Sequence, residues 1–135
     1  MHLLETNVVS ELRRSRPNPA VLRRIGGIPH DQLFLSAVTI GEIQAGIEIT
    51  REQDLEKAIE IETWLAELMD AYNVLPMDGP AFREWARLQH RRSNTLAADA
   101  MFAATAIVNE LIVATRNVRD FEQFHVELLN PFLSQ

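Results

Sequence analysis

The stretch 96–108 is apolar or small at nearly every position and contains a single carboxylate, Asp99. Alanine and methionine favour helix, and a helix that is apolar on nearly every side lies in the interior of a protein. A charge at the buried end of such a helix is costly unless it is paired or coordinated. Asp99 is therefore either the N-cap of this helix or part of a polar site that other acids complete.

Short apolar runs alternate with helical patterns along the whole chain. The clearest run is 111–115, which is β-branched and apolar without alternation, as is typical of strands buried on both faces. The patterns predict further strands at 1–4, 32–36, 74–76 and 126–129, and helices at 8–12, 20–25, 39–47, 51–72, 80–92 and 96–109. This alternation predicts an α/β fold with a central parallel sheet of about five short strands. The length fits a single domain over residues 1–135.

Three further acids, Glu5, Glu42 and Asp120, lie beside apolar runs that are predicted to be strands or helix starts. The carboxyl ends of parallel strands meet at one edge of a sheet, where open α/β folds place their sites. A doubly wound fold would therefore bring these acids close to Asp99.

Two of these acids also have a purely structural interpretation. Glu5 would cap the helix that follows it, although Thr6 and Asn7 are better N-cap residues. Thr39 and Glu42 match the spacing of a capping box, in which the glutamate is the third helical residue. The residues alone leave both interpretations open.

Four carboxylates in one pocket raise one another's pKa, and a divalent cation removes the conflict. Because the chain has no cysteine, an all-oxygen site suits Mg²⁺ or Mn²⁺. Such ions activate water for attack on phosphate. We therefore predict that metal binding and catalysis belong to Glu5, Glu42, Asp99 and Asp120. Supporting hydrogen bonds are expected from Thr6, Asn7, Thr115 and Asn117.

Composition excludes several other classes of function. A net charge of −6 argues against a sequence-independent DNA coat, which would be basic. The glycine-rich phosphate loops, the HExxH zinc motif and the GxSxG nucleophile elbow are all absent from the sequence. No basic leader and no apolar run long enough for a bilayer are present. We expect a cytoplasmic protein without membrane contact.

Positive charge is almost entirely arginine, a residue suited to phosphate. Clusters of arginine usually form solvated faces, but they also form rims around phosphate-binding sites. The candidate contacts to a nucleic acid backbone are Arg13, Arg14, Arg16, Arg91, Arg92, Arg116 and Arg119.

Five segments, 2–12, 35–43, 98–106, 114–121 and 129–132, occur in the order and at the spacing of known motifs. Together they resemble PIN-domain ribonucleases, and in particular the VapC and FitB-like toxins of bacterial toxin–antitoxin pairs. The resemblance implies a PIN-like parallel sheet and a Mg²⁺- or Mn²⁺-dependent endoribonuclease. It also implies a homodimer and a VapB/FitA-like antitoxin that masks the site.

The resemblance assigns roles to particular positions. The second, third and fourth acids of the family fall on Glu42, Asp99 and Asp120, while Thr115 and Asn117 match the polar residues beside the fourth acid. The first acid of the family is aspartate, and this chain has glutamate at position 5. The extra methylene carries the carboxylate about 1.5 Å further out.

This departure leaves more than one function open. Mg²⁺ demands near-ideal octahedral geometry, and a displacement of about 1 Å in a catalytic group costs about a hundredfold in rate. The chain is then an endoribonuclease toxin, attenuated or not, or a module that binds antitoxin and RNA without cutting. A structure-directed DNA nuclease is a third interpretation.

The helices predicted at 51–72 and 80–92 carry more apolar residues than one small sheet needs. These residues, Trp64 and Trp85 among them, form either intramolecular core or a surface for antitoxin or a second copy.

Overall fold

One parallel sheet of five strands, in the order β3-β2-β1-β4-β5, forms the centre of the molecule. The computed structural model describes residues 1–133, so the last two residues of the predicted domain lie outside the described part. The strands are β1 (His2–Leu4), β2 (Leu33–Ser36), β3 (Asn73–Leu75), β4 (Ile112–Ala114) and β5 (Leu128–Leu129). The helices are α1 (Thr6–Arg13), α2 (Pro19–Gly26), α3 (Ala37–Arg51), α4 (Leu55–Ala71), α5 (Gly79–Gln89), α6 (Ala97–Asn109) and α7 (Val118–Phe121).

The central strand β1 shows why the sheet is covered on both faces. Successive side chains of a strand point to opposite faces, and both Leu3 and Leu4 are fully buried. Leu3 lies in one cluster with Phe102 of α6 and Phe121 of α7, whereas Leu4 lies in another with Val8 of α1. The helices therefore form a layer on each side of the sheet, as the apolar runs predicted.

The apolar stretch with Asp99 is a buried helix, as predicted. Six residues of α6 are buried, and they are Ala100, Phe102, Ala103, Ala104, Thr105 and Ala106. All five predicted strands are confirmed, with ends that differ by no more than two residues. Within residues 1–133, no helix has the length and apolar character that a bilayer crossing requires.

The long helix predicted at 51–72 is wrong at its start. Helix α3 continues to Arg51, and α4 begins only at Leu55. The side chain of Asp54 accepts a hydrogen bond from the backbone N–H of Lys57 and so caps α4. An apolar period of three to four continues through a short turn unchanged, so the pattern did not reveal the break.

Several apolar residues of the helices predicted at 51–72 and 80–92 are exposed rather than part of the core. Leu55 is 58% exposed, Ile59 51%, Met69 47% and Phe82 46%. The buried residues of α4 are Ala58 and Leu65, because α4 packs on α3 along a narrower stripe than its apolar spacing suggested.

Candidate active site

Glu5 lies at the carboxyl edge of the sheet, between the ends of β2 and β4. It directly follows β1, and its backbone N–H donates to the carbonyl of Ala114, the last residue of β4. The parallel register that pairs Leu4 with Leu35 and with Ala114 brings the ends of three strands together here.

The Glu5 carboxylate caps α1, so the structural interpretation of this residue is correct. Its Oε2 accepts from the backbone N–H of Asn7 at 2.9 Å, while Thr6 and Asn7 are helical residues and not caps. Glu5 is only 7% exposed. Burial raises the pKa of Glu5, the Asn7 N–H lowers it, and the charges of Glu42 and Asp99 raise it again. Capping and membership of an acidic site thus coexist in one side chain.

Asn7 ties this first turn of α1 to the loop that follows β4. Its amide nitrogen donates to Glu5 Oε1 at 3.3 Å and to Thr115 Oγ1 at 3.4 Å, and its amide oxygen accepts from the backbone N–H of Arg116. Thr115 Oγ1 in turn accepts from the backbone N–H of Asn117. Three of the four predicted supporting residues therefore meet in one network beside Glu5.

The capping box predicted at Thr39 and Glu42 is wrong. Helix α3 begins three residues earlier than that box requires, because Ser36 caps it by accepting from the backbone N–H of Val38. Thr39 is therefore a helical residue with a fully buried side chain, and Glu42 lies further along the helix. Glu42 Oε1 accepts from the hydroxyl of Thr6 at 2.5 Å.

Asp99 is the third residue of α6, and Leu96 occupies the N-cap position. The N-cap interpretation of Asp99 is therefore wrong. Burial raises the pKa of Asp99, and so do the charges of Asp120 and Glu42. Asp120 lies in the first turn of α7, close enough to Asp99 to act on it.

The charges of neighbouring acids thus add to burial in raising the pKa values of Glu5 and Asp99. In the described part of the chain none of the four acids forms an ion pair with arginine, lysine or histidine. Across residues 1–133, no three acidic, histidine or cysteine side chains are grouped closely enough to hold an ion as they stand. The donor set is nevertheless chemically suited to Mg²⁺ or Mn²⁺, since it consists of oxygens and carries uncompensated negative charge. These four residues are the ones that could hold such an ion.

A cleft runs away from Glu42 between α1 and the α3–α4 pair. Its polar wall includes Thr6, Ser10 and Arg13, and Trp64 lies on its other side. The Arg13 guanidinium lies over the Trp64 ring, 5.6 Å from its centroid, and 3.9 Å from the Glu60 carboxylate.

The other candidate arginines differ in how far their side chains are already engaged. Arg14 pairs with the buried Glu11 at 3.3 Å. Arg92 donates to the side chain and the carbonyl of Gln123 and to the carbonyl of Leu88, and lies over Phe124.

The remaining four candidate arginines lie at exposed positions. Arg91 has a left-handed backbone, with φ of 62°. Arg116 lies next to the Asn7 network, and its guanidinium is 4.9 Å from the Phe132 ring centroid. Arg16 and Arg119 are exposed as well.

Thr39 lies beside the site, with its hydroxyl 3.0 Å from that of Thr6, and its sequence position predicts a helix cap instead. A hydroxyl one helical turn before an acid fits a capping box, but the same spacing also fits a side chain that reaches the neighbouring helix. The nearby Ser36, directly after an apolar run, was the signal for the true cap.

Comparison with known proteins gives the same fold. A family model for the PIN domain matches residues 2–126. The VapC ribonuclease Y4jK of Sinorhizobium fredii is 35% identical, with 98% of each chain covered. Toxin FitB of Neisseria gonorrhoeae is 30% identical, over 98% of this chain and 99% of that protein.

A crystal structure of FitAcB from Neisseria gonorrhoeae superposes with a TM-score of 0.86 at 30% identity, covering 98% of this chain and 99% of that one. The plasmid stability protein StbB of Pseudomonas syringae pv. tomato is 36% identical over 98% of this chain and 99% of its own length. Since both the family model and these relatives match nearly the whole length, the chain belongs to the PIN domain family, in the group that includes FitB and VapC toxins.

Proposed function

We propose that this chain is a metal-dependent endoribonuclease that acts as the toxin of a toxin–antitoxin pair. The observation that carries the proposal is the set of four acids at the carboxyl edge of a PIN-type sheet, where burial and neighbouring acids raise the pKa values of Glu5 and Asp99. The name of the 35% identical relative, a VapC ribonuclease, supports the same activity.

In this proposal the metal ligands are Glu5, Glu42, Asp99 and Asp120. A bound Mg²⁺ or Mn²⁺ supplies a water of lowered pKa and neutralises charge on the scissile phosphate. Metal binding favours the ionised carboxylates, so it works against the burial that raises the pKa values of Glu5 and Asp99.

The neighbouring residues orient these acids. Asn7 holds the Glu5 carboxylate and is itself bonded to Thr115, while Thr6 holds Glu42. Thr115 also accepts from the Asn117 N–H and so shapes the loop that leads to Asp120.

Of the arginines, Arg116 is the most direct phosphate contact, since its backbone N–H is bound to Asn7 within the site. Arg13, Arg14 and Arg91 would form the outer rim.

The partners follow from the similarities. Solved structures that resemble this chain include FitAB bound to a DNA fragment, at 28% identity and a TM-score of 0.74. We therefore propose a FitA- or VapB-like antitoxin as partner and a homodimer as the assembled toxin, formed by a single PIN domain over residues 1–135 that acts in the cytoplasm.

The test is cleavage of a mixed RNA pool with Mn²⁺ or Mg²⁺, with Asp99→Asn as the matched blank. We expect the wild-type chain to cut, EDTA to stop it, and the variant to be inactive while folded by circular dichroism. Cleavage by the pure variant would contradict the assignment of Asp99. Single-stranded and flap DNA substrates in the same assay separate a ribonuclease from a DNA nuclease.

A second candidate function is a module that binds antitoxin and RNA without cutting. The observation that favours it is the engagement of Glu5 as the cap of α1, which holds its carboxylate on Asn7. Mn²⁺-independent RNA binding with no cleavage by the wild-type chain would support this alternative.

A further inference from the structure

Three oxygens form a chain from the protein interior to Glu42. Thr39 lies one helical turn before Glu42 on α3, and its side chain is fully buried. Its hydroxyl oxygen is 3.0 Å from that of Thr6 on α1, and the Thr6 hydroxyl is 2.5 Å from Glu42 Oε1. This series of hydrogen bonds therefore joins two helices and ends on one of the four acids.

The hydroxyl hydrogens of Thr6 and Thr39 can be arranged in only one way in this series of hydrogen bonds. An ionised carboxylate only accepts, so Thr6 is the donor to Glu42. A hydroxyl has one hydrogen, so the Thr6 oxygen has none left for Thr39. Thr39 is then the donor to Thr6, and each bond of the chain points toward the carboxylate.

Other helical threonines use their hydroxyls differently. Thr50, Thr63 and Thr105 each donate to the backbone carbonyl four residues earlier in their own helix. Thr39 lies in the first turn of α3, and the residue four positions earlier, Leu35, belongs to β2. Its hydroxyl therefore has no helical carbonyl to bond and is directed to α1 instead.

We propose that Thr39 is a positioning residue for Glu42 that acts through Thr6. The inference rests on the proposed function, in which Glu42 helps to hold a divalent cation. Glu42 itself is exposed, so without a restraint its side chain would sample many rotamers. The buried Thr39 fixes the Thr6 hydroxyl, and the fixed hydroxyl holds one carboxylate oxygen in place, because linked hydrogen bonds strengthen one another.

The test measures Mn²⁺ affinity of the RNA-free protein by electron paramagnetic resonance. The variants are Thr39→Val, Thr39→Ser, Thr6→Val and the double variant Thr6→Val/Thr39→Val. We expect Thr39→Val to weaken Mn²⁺ binding by about tenfold, the range found for groups that orient metal ligands. Thr39→Ser keeps the hydroxyl, and we expect its affinity to stay within about twofold of the wild type on the same grounds.

The double variant distinguishes an effect of Thr39 that passes through Thr6 from a general loss of structure. If Thr39 acts through Thr6, the double variant binds Mn²⁺ as weakly as Thr6→Val and no more weakly. Thr105→Val is the matched control, since Thr105 is equally buried, but its hydroxyl donates to the Met101 carbonyl of its own helix and lies 3.4 Å from the Met77 sulfur, with no bond to any of the four acids. It should lower the melting temperature and leave Mn²⁺ binding unchanged.

Two results would overturn the inference while leaving the proposed function intact. They are wild-type Mn²⁺ affinity in Thr39→Val, and additive losses in the double variant. If Thr39→Val does not fold, Thr39→Ala replaces it in the same cycle. If the wild-type chain bound Mn²⁺ no better than Asp99→Asn, the proposed metal site would be wrong. The positioning role of Thr39 would then be wrong as well, because it depends on that site.

Discussion

At the scale of single residues, Glu5 combines two demands that favour different side chains. As an N-cap it benefits from a short acceptor, and aspartate is among the best N-cap residues. As a metal ligand it would need an oxygen at a defined distance from the other acids. The glutamate meets the first demand by folding back onto the Asn7 N–H, which directs its carboxylate toward its own helix.

Glu5→Asp therefore tests whether the longer side chain limits activity. We expect RNA cleavage to rise, by as much as about a hundredfold for a displacement near 1 Å, and the melting temperature to stay equal or increase because aspartate caps well. Cleavage kinetics with Mn²⁺ and differential scanning fluorimetry measure the two quantities. Slower cleavage by this variant would mean that the pocket is built for glutamate.

The pKa of Asp99 sets a pH dependence of stability. Its pKa is raised by burial and by Asp120 and Glu42, so the folded protein holds the proton more tightly than the unfolded chain. Stability then falls as pH rises from the ordinary carboxyl pKa through the raised one. An acid in the first turn of a helix is usually stabilising, and the raised pKa means that burial and repulsion outweigh that gain.

We therefore expect Asp99→Asn to raise the melting temperature of the metal-free protein at neutral pH. The gain should shrink as pH falls toward 4, because the wild-type carboxyl then becomes neutral as well. Thermal scans in EDTA across this range measure it, with Glu56→Gln on the exposed start of α4 as control. A gain that does not change with pH would contradict the electrostatic explanation.

At the scale of elements, Asp54 determines where one helix ends and the next begins. It accepts from the backbone N–H of Lys57 and so caps α4, and the turn at 52–54 separates α4 from α3. Asp54→Ala should lower the free energy of unfolding by about 1 kcal/mol, the usual cost of losing an N-cap. Urea unfolding measures it. Asp70→Ala, near the other end of α4, is the control. It should not lower the free energy of unfolding, since an acid in the last turn opposes the helix dipole. An equal loss of stability in both variants would contradict the capping role of Asp54.

The elements differ in how far the sequence could predict them. Unalternating apolar runs such as 111–115 allow few structures other than a strand, so the five strands and the parallel sheet were predictable. The caps are harder to predict, because Ser36 and Thr39 are both good N-cap residues and lie three residues apart, and the structure shows Ser36 as the cap. The topology of a parallel sheet predicts that Glu5, Glu42 and Asp99 meet at one edge. The hydrogen bonds from Thr39 through Thr6 to Glu42 depend on how α1 and α3 are placed relative to each other, and the apolar period of the sequence does not predict that placement.

At the scale of the whole molecule, the charge of −6 means that RNA is not attracted over long distances. The proposed RNA substrate would then bind through a few local arginines, and several are already engaged with acids or backbone carbonyls. The structure separates two arginines that the sequence could not distinguish. Arg116 is exposed beside the Asn7 network, whereas the Arg92 guanidinium holds α5 to the segment that contains Gln123.

Salt dependence tests this division. On single-stranded RNA each neutralised phosphate contributes about 0.7 to the slope of log affinity against log salt, so a protein with few contacts should show a shallow slope. With cleavage blocked by Asp99→Asn and Mn²⁺ held constant, Arg116→Ala should reduce the magnitude of that slope by about 0.7. Arg92→Ala should leave the slope unchanged and lower the melting temperature, because it removes the bonds to Gln123 and Leu88. A slope reduced equally by both variants would show that Arg92 also contacts RNA phosphate, and that its bonds to the protein break when RNA binds.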